Sequence, residues 1–151
     1  MGFYHFARKE ELLNRFDVPL PIEAFAFDKD ANQLIVGSNQ VYWIDPVSSN
    51  RVDSFSVSGN ILAGAWINDI AILPDHTIWV AGDGGVERID TKTKTSKVYS
   101  KIDGTLPCNG AVSLCEDVGG NLWAGGSCGL LYYNFNEAKF VTVLPDKSTT
   151  R

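Results

Sequence analysis

The stretch Asp117–Gly126, DVGGNLWAGG, decides the fold, because two looser copies of it precede it in the chain. Pro74–Gly82 reads PDHTIWVAG and Asp30–Gly37 reads DANQLIVG. The glycines that align in the three copies, Gly37, Gly82 and Gly125, are 45 and 43 residues apart. The chain is therefore built from an internal repeat with a period in the low to mid forties.

Each repeat divides into four short runs that are rich in β-branched and aromatic residues and are bounded by Gly, Asn, Asp or Pro. The predicted strands are Ala24–Phe27, Gln33–Val36, Val41–Ile44 and Arg51–Val57, then Asp69–Leu73, Thr77–Ala81, Val86–Ile89 and Thr95–Tyr99, then Ala111–Cys115, Leu122–Ala124, Leu130–Tyr133 and Lys139–Val143. Asp, Asn and Gly between the runs allow the tight turns that join hairpin strands. An all-strand repeat of this period predicts the four-stranded blades of a β-propeller.

The N-terminal residues fit the same register as half a blade. Gly2–Phe6 corresponds to a third strand and Leu12–Val18 to a fourth strand, although Arg8–Phe16 alone also has helix-forming character. The prediction is an all-β, partial β-propeller of about three and a half four-stranded antiparallel blades. It forms one segment over 1–151, with a half blade at 1–18 and blades at 19–58, 64–101 and 107–145.

Such a segment exposes unpaired strands and apolar blade faces at its open side. The sequence leaves two alternatives open. Either the chain is a fragment whose remaining blades complete the ring, or further copies of the same chain do so.

Composition and charge exclude several classes of function. The chain is 44% hydrophobic and 21% charged, with a formal net charge of −5 and no stripe of basic residues. A nucleic acid or an anionic membrane surface requires a positive patch, so neither is an expected partner. No apolar run approaches the roughly 18–20 residues that span a bilayer, and the first residues lack signal-peptide order, so no direct membrane contact is expected.

The cysteines and histidines predict no metal site. Cys108, Cys115 and Cys128 are an odd number without metal-type spacing, and small buried or half-buried thiols are the first interpretation. A Cys115–Cys128 disulfide is the alternative in an oxidising compartment. His5 and His76 are expected on the surface without converging ligands.

Two sets of recurring residues are interpreted as structural. Trp79 and Trp123 occupy the same repeat position, so we expect them to pack between blades rather than to stack on a sugar. Acidic or amide residues recur after the first and third strands of each repeat and are expected to cap turns, with calcium binding as the weaker alternative. They are Asp28, Asp75, Asp117, Asp45, Asp90 and Asn134.

A ligand site is expected at one rim of the predicted propeller. No nucleophile elbow, phosphate loop or dinucleotide fingerprint is present, so catalytic residues and cofactors are not predicted. Propeller connectivity brings the loops before each first strand and after each second strand to the same rim, where ligands often bind. The candidate ligand-binding residues are Trp66, Asn68, Asp83, Asn109 and Ser127. Their aromatic, amide and carboxylate groups suit a small polar ligand such as a saccharide, and solvated turn residues are the alternative interpretation.

The third repeat resembles the two-component regulator propeller repeat, whose core reads approximately D-x-x-G-N-L-W-I-G-T followed by G-G-L. Asp117–Gly126 matches it well, Pro74–Val86 matches it loosely, and the first repeat has Ile35 in place of the tryptophan. The Leu-Pro that often precedes the first strand of a repeat appears as Leu20-Pro21 and Leu106-Pro107. The resemblance covers nearly the whole chain.

This resemblance implies a function that composition alone does not. Propellers of this kind form extracytoplasmic, usually periplasmic, sensor regions of bacterial hybrid histidine kinases, often in carbohydrate-responsive systems, and they bind rather than catalyse. The chain is thus expected to be a ligand-sensing propeller segment of a signalling receptor. The alternatives are a protein-interaction scaffold and part of a propeller lyase, which would need converging His, Glu and metal.

Overall fold

The computed structural model of the chain describes residues 3–6, 12–16, 21–48, 50–57 and 67–143, with side chains from residue 21 onward. These ranges contain fourteen strands and no helix. The strands are β1 (Phe3–Phe6), β2 (Leu12–Phe16), β3 (Ala24–Asp28), β4 (Gln33–Gly37), β5 (Val41–Ile44), β6 (Arg51–Phe55), β7 (Ile67–Ile72), β8 (Ile78–Gly82), β9 (Gly85–Asp90), β10 (Thr95–Tyr99), β11 (Ala111–Glu116), β12 (Leu122–Gly126), β13 (Gly129–Asn134) and β14 (Lys139–Thr142).

Strands β3–β14 form three separate four-stranded antiparallel sheets. Each sheet is a simple meander in which every strand pairs with the next one along the chain. We call the sheets blade 1 (β3–β6), blade 2 (β7–β10) and blade 3 (β11–β14). The predicted twelve strands of the three repeats are confirmed, with boundaries that differ by one or two residues.

The first two strands form an antiparallel hairpin. Phe3 is opposite Phe16 and His5 is opposite Asn14 in its register. The C–D hairpin predicted from the repeat register is therefore confirmed, and the helix considered for Arg8–Phe16 does not form over the described residues 12–16. The repeat register prevails over local helix propensity here, because an isolated helix of so few residues is only marginally stable in water.

The blades pack face to face through their inner strands, with β3 against β7 and β7 against β11. Between blades 1 and 2, the core is mainly aliphatic and includes Ile35, Ile67 and Val80, all fully buried, together with Trp43 at 5% exposure. The core between blades 2 and 3 is aromatic and centres on Trp79, which is 0% exposed. Trp79 occupies the repeat position that Ile35 has in blade 1. The interpretation of Trp79 as a residue between blades is confirmed.

Trp123, the repeat equivalent of Trp79, is only half-buried. It lies opposite Tyr132 and Cys115 in the ladder, so these three side chains share the face of blade 3 that points away from blade 2. Leu130, in the neighbouring strand, is 48% exposed. Trp123 thus belongs to a blade face that the described residues leave partly open, rather than to a completed core.

Candidate functional site

Antiparallel meanders place alternate turns at opposite edges of the blades. We call the edge with the β4–β5, β8–β9 and β12–β13 turns the rim. Strands β7 and β11 begin at the same edge. The opposite edge carries the β3–β4, β7–β8 and β11–β12 turns. Of the predicted ligand-binding residues, Asn68, Asp83, Asn109 and Ser127 lie at the rim, and the recurring aspartates lie at the opposite edge.

Asn68 lies at the rim but is occupied by contacts within the protein. It is the extra residue of a β-bulge in β7, where the register shifts between Ile67 and Asp69. Bulges re-aim side chains, and here the Asn68 amide donates to Asp83 Oδ1 at 2.9 Å and to the Ala111 carbonyl at 3.0 Å. Asn68 therefore ties the turn of blade 2 to the first strand of blade 3.

Asp69, the next residue, makes a second bond between the same two blades. Its Oδ2 accepts a hydrogen bond from the backbone N–H of Leu114 at 2.7 Å. Sequence reasoning missed this role, because a carboxylate within a predicted strand gives no indication of which neighbouring strand it reaches.

Close backbone contacts hold the rim loops together. A Cβ on Gly110 would lie 2.4 Å from the carbonyl oxygens of Gly82 and Asp83, and a Cβ on Gly126 would lie 2.7 Å from the Gly110 carbonyl oxygen. Only glycine allows backbones to approach so closely. The loop before β11 is therefore wedged between the β8–β9 and β12–β13 turns.

A disulfide between Cys108 and Cys128 fastens the same loops, with the two Cα atoms 5.7 Å apart. The Cys115–Cys128 pairing considered as an alternative is therefore wrong, and so is the first interpretation of three buried or half-buried thiols. Cys115 is exposed and free, because it lies within β11 opposite Trp123 and away from the rim. Sequence spacing alone does not show which cysteine reaches the turn.

The structure thus brings four of the five predicted site residues to one continuous patch. Asn109 follows Cys108, and Ser127 precedes Cys128, so the disulfide lies between these two positions. Asp83, Asn109 and Ser127 are exposed, and Asn68 is partly buried beneath Asp83. Trp66 lies outside the described residues. The patch offers a carboxylate, an amide and a hydroxyl on loops that are held in place from both sides.

The recurring aspartates of the opposite edge cap turns, as predicted. Each accepts hydrogen bonds from backbone N–H groups two to four residues further along, and so does Asn134. These bonds lower the pKa of Asp45 and Asp90. The indole N–H of Trp123 and the amide of Asn121 lower the pKa of Asp117 to about 2.

His76 departs from the sequence expectation of an isolated histidine. It lies in the β7–β8 turn, where its Nδ1 is 3.9 Å from Oδ2 of Asp28, in the neighbouring blade. One ligand atom from each of Asp28, Asp30 and His76 lies within 4.8 Å of the others. Two clefts of about 350 and 380 Å³ border all three residues, and neither is lined by the predicted rim residues.

Within the described ranges there is no helix long and apolar enough to cross a membrane.

Comparison with known proteins identifies the fold. Neither a protein-family model nor a curated protein sequence matches this chain. Solved structures do match. The extracellular domain assigned to a hybrid two-component system of B. thetaiotaomicron superposes with a TM-score of 0.75 and 21% identity over 99% of this chain. The WD40 β-propeller domain of Doa1 superposes with a TM-score of 0.66 and 16% identity over 89%.

An enzyme has the same blade architecture. Kuenenia stuttgartiensis hydrazine synthase superposes with a TM-score of 0.72 and 21% identity over 90% of this chain. This chain spans 20% of the matched receptor domain, 42% of the Doa1 domain and 40% of the hydrazine synthase chain. At these identities the likeness shows propeller blades and leaves function to be argued from the site.

Proposed function

We propose that this chain is a non-catalytic, ligand-binding segment of a β-propeller in an extracytoplasmic receptor of a bacterial two-component system, and that its ligand is a small polar molecule such as a saccharide. One observation carries the proposal. The rim presents Asp83, Asn109 and Ser127 on loops whose positions are fixed by the Cys108–Cys128 disulfide and by the Asn68 bonds. Fixed polar groups recognise hydroxyl-rich ligands at low entropic cost.

Two further points support the assignment. The receptor domain of B. thetaiotaomicron is extracellular and has the same fold. A disulfide that connects two loops is typical of proteins in oxidising compartments and is rare in the cytosol. Both favour a periplasmic or extracellular location for this chain.

Titration calorimetry with a panel of neutral mono- to hexasaccharides tests the proposal. We expect at least one saccharide to bind, and the double variant N109A/S127A to bind it at least tenfold more weakly. N136A, at an exposed asparagine of the β13–β14 turn at the opposite edge, is the matched control and should bind normally. A panel without any binder, or equal affinity for the double variant, would count against the rim as a saccharide site.

A protein-interaction role is the second candidate, and the open face of blade 3 favours it. Trp123, Tyr132 and Leu130 lie there with partial or substantial exposure, although Trp79 is fully buried at the equivalent position. We propose that further blades, or further copies of this chain, cover this face. Sedimentation of the wild type and W123A over a range of concentrations distinguishes self-association from a monomer.

A further inference from the structure

The edge opposite the rim contains a cluster whose chemistry is not explained by turn capping. Asp28 ends β3, Asp30 follows it in the β3–β4 turn, and His76 projects from the β7–β8 turn of the next blade. We propose that Asp28, Asp30 and His76 bind a first-row divalent cation of the zinc type between blades 1 and 2. This site is separate from the rim and does not depend on the function proposed for it.

The Asp28 carboxylate is already oriented toward such an ion. Its Oδ1 accepts hydrogen bonds from the backbone N–H groups of Asp30 and Ala31, both at 3.0 Å. This leaves Oδ2 directed toward His76 Nδ1 at 3.9 Å, which is too long for a hydrogen bond. Ligands of a tetrahedral zinc ion lie about 3.4 Å apart, since each is about 2.1 Å from the metal. Small side-chain rotations would therefore close the site around an ion.

The β7–β8 turn fixes the backbone position from which the His76 side chain extends. His76 has φ of +63°, in the left-handed region that few residues other than glycine adopt. Its N–H donates to the Leu73 carbonyl at 2.8 Å, and Asp75 caps the turn through the N–H of Thr77. The imidazole is thus presented toward blade 1 by a turn that is stabilised independently of any ion.

The surroundings leave room for the remaining ligands of an ion. The side chains of Asp28 and His76 are 13% and 41% exposed, and the adjoining clefts can hold water. Apart from the proposed ligands, the charged groups that line the clefts are Lys29, Lys92 and Glu116, all exposed. The two lysines can turn into solvent, and Glu116 adds a carboxylate near the site.

The ligand atoms of this cluster, two carboxylates and one imidazole, indicate which class of ion would bind. Calcium and magnesium prefer sites made only of oxygen ligands. A neutral imidazole with two carboxylates suits zinc and neighbouring first-row metals better. Because the ligands come from two blades, the bound ion would also link blade 1 to blade 2 and stabilise the folded chain.

Calorimetric titration of the untagged chain with zinc chloride tests this inference. Every protein in the comparison carries Cys115→Ser, because an exposed thiol binds zinc itself. The test variants are H76N, in which asparagine tolerates the left-handed backbone, and D30N, which leaves the Asp28 turn bonds intact. The matched control is H5N, which removes the other histidine of the chain. Circular dichroism verifies that each variant is folded.

We expect one zinc ion per chain, at least tenfold weaker binding for H76N and for D30N, and unchanged binding for H5N. Zinc should raise the melting temperature of the starting protein and of H5N but not that of H76N, and excess calcium chloride should not displace it. Absence of saturable binding, or H76N and D30N that bind like the starting protein, would overturn the site. Displacement of zinc by calcium would overturn the assignment of the ion.

Discussion

Trp79 and Tyr133 meet edge to face across the boundary between blades 2 and 3, with ring centroids 4.8 Å apart. Tyr99 stacks on Trp79 at 5.4 Å, and its hydroxyl is 2.7 Å from that of Tyr133. Aromatic groups dominate packing energies because each buries a large area. This cluster therefore contributes strongly to the packing between the two blades.

Replacement of Trp79 by alanine should lower the free energy of unfolding by about 3–5 kcal/mol, because it leaves a large cavity in this cluster. W123A is the matched variant at the equivalent repeat position and should cost less than half as much, since Trp123 is half-buried. Urea denaturation followed by circular dichroism measures both. Equal losses would mean that Trp123 is as well covered as Trp79 and that the face of blade 3 is not open.

The disulfide should contribute about 3 kcal/mol to stability, because Cys108 and Cys128 close a loop with a sequence separation of 20. The double variant C108A/C128A should show this loss in urea denaturation without reductant, whereas C115A should not. Thiol titration of the unfolded, unreduced chain should find one free thiol, that of Cys115. Three free thiols, or a double variant as stable as the wild type, would contradict the pairing.

Replacement of Gly110 by alanine, which adds a single methyl group, should already destabilise the fold. A methyl group there would lie 2.4 Å from two carbonyl oxygens of the β8–β9 turn, so the loop or the turn must move. We expect G110A to lower the free energy of unfolding by about 1–3 kcal/mol. N109A, at the adjacent exposed position, should stay within about 0.5 kcal/mol of the wild type. If both variants matched the wild type, the rim loops would not be wedged together as described.

Asp117 should make stability depend on acid pH. Its pKa is lowered to about 2 in the folded chain, against an ordinary value of 3.8. Because the folded state holds the ionised form, the stabilisation is fully present above about pH 4 and is lost as the pH falls through about 2. Urea denaturation at intervals between pH 5 and pH 2 should give a shallower decline for D117N than for the wild type.

Asparagine is the appropriate replacement at position 117, since Asn134 caps a turn in the same chain through the same kind of bonds. The variant therefore removes the charge and retains an acceptor for the turn. Identical slopes for wild type and D117N would contradict the role of the Trp123 and Asn121 hydrogen bonds.

The repeat made most of the fold predictable, because register repeats wherever Gly37, Gly82 and Gly125 recur. The turn-capping aspartates were predictable for the same reason: a side chain that bonds its own turn needs only local sequence. Trp79 was correctly expected between blades, but the individual contacts of loops and polar side chains were not predictable. The repeat period and the turn residues do not show that Asn68 reaches Ala111, that Cys128 pairs with Cys108, or that His76 lies near Asp28.

The position of the candidate site was predictable from the sequence, but the role of each of its residues was not. Connectivity alone put Asn68, Asp83, Asn109 and Ser127 at one rim. The amide group of Asn68 donates both of its hydrogen bonds within the protein. This arrangement depends on the bulge in β7, which cannot be predicted from the residue types in the strand. The ligand-facing groups of the patch are therefore its exposed members rather than all of its polar ones.

Amide chemical-shift mapping tests the central claim most directly. The ¹⁵N-labelled chain would be titrated with the tightest saccharide from the calorimetric panel, or with each panel member at millimolar concentration. The account predicts shifts concentrated at residues 82–85, 108–111 and 126–129, the three segments that form the rim. Shifts concentrated at residues 28–31 and 74–77 at the opposite edge, or none with any saccharide, would contradict it.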